Sequence, residues 1–182
     1  MDRVVENFLK RQLQVARQFT AASGIVKIAH VPMPGENPAL PQHYVAEFAC
    51  RGLVKQPDGS VTEADRFVVG IYFPDSYLRS ANTFETLTWI GPLNVYHPNI
   101  LPPLICVGER FMRPGTGLEA IIYQVHSVIT YVRWSSHAGL NEEACQWARN
   151  NQNRFPVDRR PLKTRALNVR VQTGKEAANG AQ

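Results

Sequence analysis

The spacing of apolar residues changes twice along this chain, and those changes constrain the fold more than any single motif. Over residues 3–19, Val4, Val5, Phe8, Leu9, Leu13, Val15, Ala16 and Phe19 recur near the helical period with charges between them, so an amphipathic helix is expected. Gly24, after Ala21, Ala22 and Ser23, is its natural stop. From residue 25 the pattern alternates instead. Residues 25–31 (IVKIAHV), 43–54 (HYVAEFACRGLV) and 66–74 (RFVVGIYFP) read as antiparallel neighbours in a meander. The proline-rich PMPGENPALP separates the first two and the turn sequence QPDGS the next two. Residues 83–90 (TFETLTWI) alternate less cleanly at Phe84, Leu87 and Trp89 and are expected to form a fourth strand.

Helical spacing then returns. Residues 117–134 carry Leu118, Ile121, Ile122, Val125, Val128, Ile129 and Val132, the broad apolar stripe of a mostly buried helix. Residues 140–151 read as a shorter helix with Ala144, Trp147 and Ala148 facing inward. Residues 163–182 are polar and weakly patterned and are expected to form a flexible tail, leaving residues 1–162 as one domain. Strands in one block with helices at both ends imply an α+β fold: an N-terminal helix, a four-stranded antiparallel meander sheet, a long irregular segment and C-terminal helices.

Composition narrows the functional classes. Polar residues interrupt every apolar run well short of the ~18 residues that a membrane span needs. The first residues, MDRVVENFLKRQLQVARQF, lack the apolar core of a signal peptide, so a soluble, cytoplasmic protein is expected. Three cysteines, Cys50, Cys106 and Cys145, give neither a disulfide framework nor zinc-ligand spacing, and no metal or cofactor is expected. Lys and Arg exceed Asp and Glu by 20 to 15, and the excess gathers at the ends. Arg3, Lys10, Arg11 and Arg17 lie in the first segment, and Arg154, Arg159, Arg160, Lys163, Arg165 and Arg170 in the last. A basic end can meet nucleic acid or an acidic protein. Only Phe155 interrupts the C-terminal arginines, where a nucleic-acid stacking platform would want several aromatics, and this argues against nucleic acid as the partner.

Between strand block and helices lies NVYHPNILPPLICVGERF, residues 94–111, which sets His97, Pro98 and Asn99 shortly before Cys106 with Pro102 and Pro103 between. With the strand ending FPDSY at Phe73, Pro74 and Tyr77, and with this order of elements, residues 4–151 resemble the ubiquitin-conjugating enzymes. The resemblance implies that Cys106 accepts a ubiquitin-like protein as a thioester from an activating enzyme and passes it to an amine of a target. It implies that Asn99 supports the oxyanion or the loop that shapes the site, and that His97 pins that loop by hydrogen bonds. Relatives place an acidic or hydroxyl residue between the last two helices; Ser136 and His137 are the nearest matches, and His137 is the candidate proton acceptor. Arg3, Lys10, Arg11 and Arg17 are the candidate surface for the activating enzyme.

The chain departs from the family's pattern at several points. The interval from His97 to Cys106 is one residue shorter, Leu78 replaces a proline, and Phe111 stands where a tryptophan is usual. Arg79 lies where many members present an apolar residue to a RING-type ligase. The resemblance therefore points to a divergent member of a bacterial kind, similar to enzymes of antiphage operons, with a ligase's participation left open. Alternatives are an inactive variant serving as a binding scaffold, which usually lacks the cysteine, and a cysteine hydrolase using His97 or His137. The hydrolase would place its cysteine at a helix N-terminus, whereas ICVGERFMRPG reads as a loop.

Overall fold

A computed structural model describes residues 2–164. Helix α1 (Arg3–Ala22) starts at Asp2, whose carboxylate accepts a hydrogen bond from the Val4 N–H at 2.9 Å, and buries Leu9, Gln12, Ala16 and Phe19. Strands β1 (Val26–His30), β2 (His43–Phe48), β5 (Phe67–Tyr72) and β6 (Leu87–Gly91) form a four-stranded antiparallel sheet in that order. This is the expected meander. Its inward residues include Val26, Tyr44, Ala46, Phe48, Phe67, Val69, Leu87 and Trp89, and they share one core with α1 and with α3 (Leu118–Ile129). The outer edge of β1 is closed by α1's last turn. Thr20 Oγ1 accepts from Ile28 N–H at 2.8 Å, and Ser23 Oγ accepts from Val26 N–H at 2.9 Å, so those edge donors are unavailable to another strand.

Residues 43–54 do not form one strand. The chain leaves β2 at Phe48, bends through Cys50, and resumes as β3 (Gly52–Lys55), which pairs with β4 (Val61–Ala64) in a separate hairpin. QPDGS therefore joins β3 to β4, and the second and third meander strands are linked through this hairpin. The crossing is tight at Gly52, where a Cβ would lie 2.5 Å from the Phe67 ring. Gly52→Ala is expected to lower stability by about 1–3 kcal/mol through this overpacking, readable as a lower denaturant midpoint.

The expected fourth strand begins later. Thr83–Thr86 is a single helical turn, α2, capped by the Asn82 side chain, which accepts from Phe84 N–H at 2.9 Å. The buried helix also ends earlier than its pattern implies. Tyr131 takes a left-handed φ of 57° and donates its hydroxyl to the Tyr96 carbonyl, which turns the chain so that Val132 is 62% exposed. Helix α4 (Glu142–Asn150) buries Ala144, Cys145 and Ala148, while Trp147 is half-buried with its ring edge-on to Tyr96. Lys163 pairs with Glu119, and the Thr164 N–H donates to the Ala22 carbonyl at 3.0 Å, so these first two residues of the expected tail are fastened to α3 and α1. The rest of that tail, with Arg165 and Arg170, lies outside the described residues.

Candidate active site

The segment read as irregular is a small hairpin. Strands β7 (Ile100–Leu101) and β8 (Leu104–Ile105) turn on Pro102 and Pro103, whose connecting peptide bond is cis. The hairpin is held to the sheet by the Trp89 N–H, which donates to the Pro103 carbonyl at 2.8 Å. Asn99 and Cys106 are therefore the hairpin's two feet. The Cys106 N–H donates to the Asn99 carbonyl at 2.9 Å, and the Asn99 Nδ2 donates to the Cys106 carbonyl at 3.3 Å. The prolines thus shorten the excursion and return Cys106 directly beside Asn99.

Each member of the His-Pro-Asn motif has a defined task. His97 is 1% exposed, and its Nδ1 accepts the Asn99 N–H at 2.9 Å, which places the ring proton on Nε2. Its ring meets Tyr131 edge-on at 4.2 Å between centroids. Burial pushes its pKa down to about 3, opposed weakly by the backbone at Arg133, so the imidazole is a neutral brace for the loop. The Pro98 carbonyl accepts the Asn141 N–H at 3.1 Å, and Gly139 packs so closely that a Cβ there would lie 2.4 Å from the same oxygen. Asn99 is 6% exposed and fully engaged. Besides its bond to the Cys106 carbonyl, its Nδ2 donates to Ser135 Oγ at 3.0 Å, and its Oδ1 accepts the Ser135 N–H at 2.8 Å. The loop between α3 and α4 is thereby stapled to the foot of the hairpin.

His97 gives a pH signature. Its folded pKa is depressed from 6.5 to about 3, so the stability it contributes is fully present above pH 6.5. That stability is lost as pH falls toward about 3, because the unfolded chain takes up a proton that the folded one refuses, at most ~1.4 kcal/mol per pH unit. Buried His126, whose pKa is also lowered by burial, acts in the same direction. Unfolding free energies at pH 7 and pH 5 are expected to show the loss, and His97→Gln is expected to reduce it. An unchanged slope would contradict the assignment.

Cys106 is half-buried, whereas Cys50 and Cys145 are fully buried, as packing residues would be. Burial, with the Asp158 charge adding to it, pushes the Cys50 thiol up to about 12 and makes it unreactive. Cys106 lies on a cleft of about 520 Å³ whose walls include Ser80, Asn82, Phe84, Glu109 and Met112. Ser136 and His137 are joined at 2.7 Å between Oγ and Nδ1, on the stapled loop, but neither lines this cleft. The residue that bonds Asn99 is Ser135, which nothing in the sequence separates from its neighbour Ser136. Arg133 is a second member the motif did not signal. It donates to the Val107 carbonyl at 3.2 Å and lies 3.6 Å from the Phe111 ring centre, which supports the segment that follows Cys106. Arg3, Lys10, Arg11 and Arg17 are all exposed on α1; the first, second and fourth, spaced by seven, share one stripe of the helix. None of the four makes an ion pair among the described residues.

Among the described residues, no helix is long and apolar enough to cross a membrane, and no group of His, Cys, Asp and Glu could hold a metal ion. In comparison with known proteins the chain matches no family model, and no curated protein matches it in sequence.

Proposed function

We propose that this chain is a ubiquitin-conjugating-type transferase, which accepts a ubiquitin-like protein on Cys106 from an activating enzyme and delivers it to an amine of a target. One observation carries the reading: the reciprocal bonds between Asn99 and Cys106 hold the one half-buried cysteine on an open cleft, with a His-Pro-Asn turn locked beneath it. The α+β architecture with a four-stranded antiparallel sheet is compatible with that family's fold.

The chemistry follows from the parts. Cys106 as thiolate attacks the activating enzyme's thioester, and a target amine then attacks the new thioester through a tetrahedral oxyanion. Asn99 acts first as a scaffold in this reading. Both Nδ2 hydrogens are already donated, so it serves an oxyanion only by releasing the Cys106 carbonyl or Ser135. The basic stripe of α1 is the proposed docking surface for the activating enzyme. A cytoplasmic, bacterial setting with a dedicated ubiquitin-like protein, as in antiphage operons, completes the proposal.

Catalysis is separable from mere thiol reactivity. Cys106 is loaded from a glycine-terminated peptide thioester, and its transfer to free lysine is timed against the same acyl group on glutathione. The transferase reading expects transfer from Cys106 to be faster by about 100-fold or more. Equal rates would leave an inactive scaffold.

A further inference from the structure

The groups expected from the sequence to take the acceptor's proton, Ser136 and His137, do not line the cleft on which Cys106 lies. Another carboxylate does. Cys106 and Glu109 are the two titratable side chains of that lining, which Phe84 and Met112 complete with an apolar surface. Phe84 is 48% exposed and is presented by α2, the short turn that replaces the start of the expected fourth strand. Glu109 is exposed and makes no ion pair among the described residues. Two arginines engage Phe111: the guanidinium groups of Arg110 and Arg133 lie 4.6 and 3.6 Å from its ring centre. Glu85, the other acid nearby in α2, is not part of the lining.

A cleft lined by Cys106, a carboxylate and apolar side chains suits a lysine side chain, which buries its methylenes and keeps its ammonium on a charged partner. We propose that this cleft receives the acceptor lysine of the target and that Glu109 takes the proton from its ammonium. The inference rests on the transferase reading above and specifies where the amine enters. The lysine ammonium gives one proton to the Glu109 carboxylate, and the neutral nitrogen attacks the thioester carbonyl carbon. That attack makes the C–N bond; the tetrahedral oxyanion then collapses, re-forming the carbonyl as the C–Sγ bond breaks and Cys106 leaves as thiolate. The remaining nitrogen proton neutralises that thiolate, and Glu109 returns its proton to water.

The test uses the full chain loaded on Cys106 with a glycine-terminated peptide thioester, discharged by free lysine or by hydroxylamine, which is already neutral at neutral pH. Glu109→Gln is expected to load as the parent does and to discharge to lysine about 100-fold more slowly. The deficit is expected to shrink as pH rises toward the lysine pKa of ~10.4. Hydroxylamine discharge is expected to be unchanged, and Glu109→Asp to restore part of the lysine rate. Phe84→Ala is expected to raise the lysine concentration needed for half-maximal rate while sparing the rate at saturation. Parent-like lysine discharge by Glu109→Gln would overturn the inference and leave the transferase reading standing, as would an equal loss with hydroxylamine. Failure of the parent chain to transfer to either amine would overturn both.

Discussion

Replacing Cys106 by alanine is expected to abolish adduct formation completely while leaving the fold intact. The side chain is half-buried and, among the described residues, no side-chain hydrogen bond uses its sulfur; its backbone amide and carbonyl tie the hairpin together. Loss of the thiol therefore removes the proposed nucleophile without opening the site. Cys106→Ser is the sharper variant, because an oxyester survives thiol reductant where a thioester does not. Cys50→Ala and Cys145→Ala are expected to charge normally, at some cost in stability, since both thiols are fully buried. An adduct that persists in Cys106→Ala and is lost in either of these variants would move the chemistry to another residue. Non-reducing and reducing gels run side by side are sufficient to read the difference.

The second large effect is expected at Asn99. Its amide makes three side-chain bonds, to the Cys106 carbonyl and twice to Ser135, while 6% exposed. Asn99→Ala removes all three and leaves buried partners unpaired, with an expected loss of about 1–3 kcal/mol in stability. Charging is expected to persist, because the thiol remains accessible, whereas discharge to lysine is expected to slow by about 100-fold. Ser135→Ala separates the two roles open to Asn99. If Asn99 acts by holding the α3–α4 loop against the hairpin, Ser135→Ala slows discharge too. If it acts as an oxyanion donor, Ser135→Ala frees an Nδ2 hydrogen, and discharge is maintained or improved. Discharge by Asn99→Ala at the parent rate would remove both roles.

Much of the fold was legible because its elements repeat over enough residues for periodicity to show. The first helix, the first and third meander strands and the fourth helix are where their patterns place them, while the second strand, the fourth strand and the third helix are present with shifted ends. The failures are local competitions. Thr83, Phe84 and Thr86 favour strand, but the Asn82 side chain caps a helical turn and wins. Cys50 continues the alternation of β2, yet the chain must clear the Phe67 ring, and Gly52 is where it does so. Val132 extends the apolar stripe on paper, but a left-handed Tyr131 held by the Tyr96 carbonyl ends the helix first.

The site divided in the same way. The motif marked Asn99 and Cys106 as partners in one site, but the hydrogen bonds that join them are found only in the structure. Ser135 and Arg133 reach the site from the far end of α3, so only the three-dimensional path of the chain brings them there, whereas Glu109 lies three residues after Cys106 but carried no motif that singled it out. Histidine was legible as a brace but not in its degree of burial, which fixes it neutral.

The central claim is that Cys106 carries an acyl group received from an activating enzyme. Its most direct test incubates the chain with ATP, a matched activating enzyme and its ubiquitin-like protein, and reads the intact mass of the product before and after thiol reductant. One added ubiquitin-like protein per chain is expected, attached at Cys106 and released by reductant. With Cys106→Ser the same added mass is expected, now resistant to reductant. No added mass with partners shown to charge one another, or an adduct on a different residue, would contradict it.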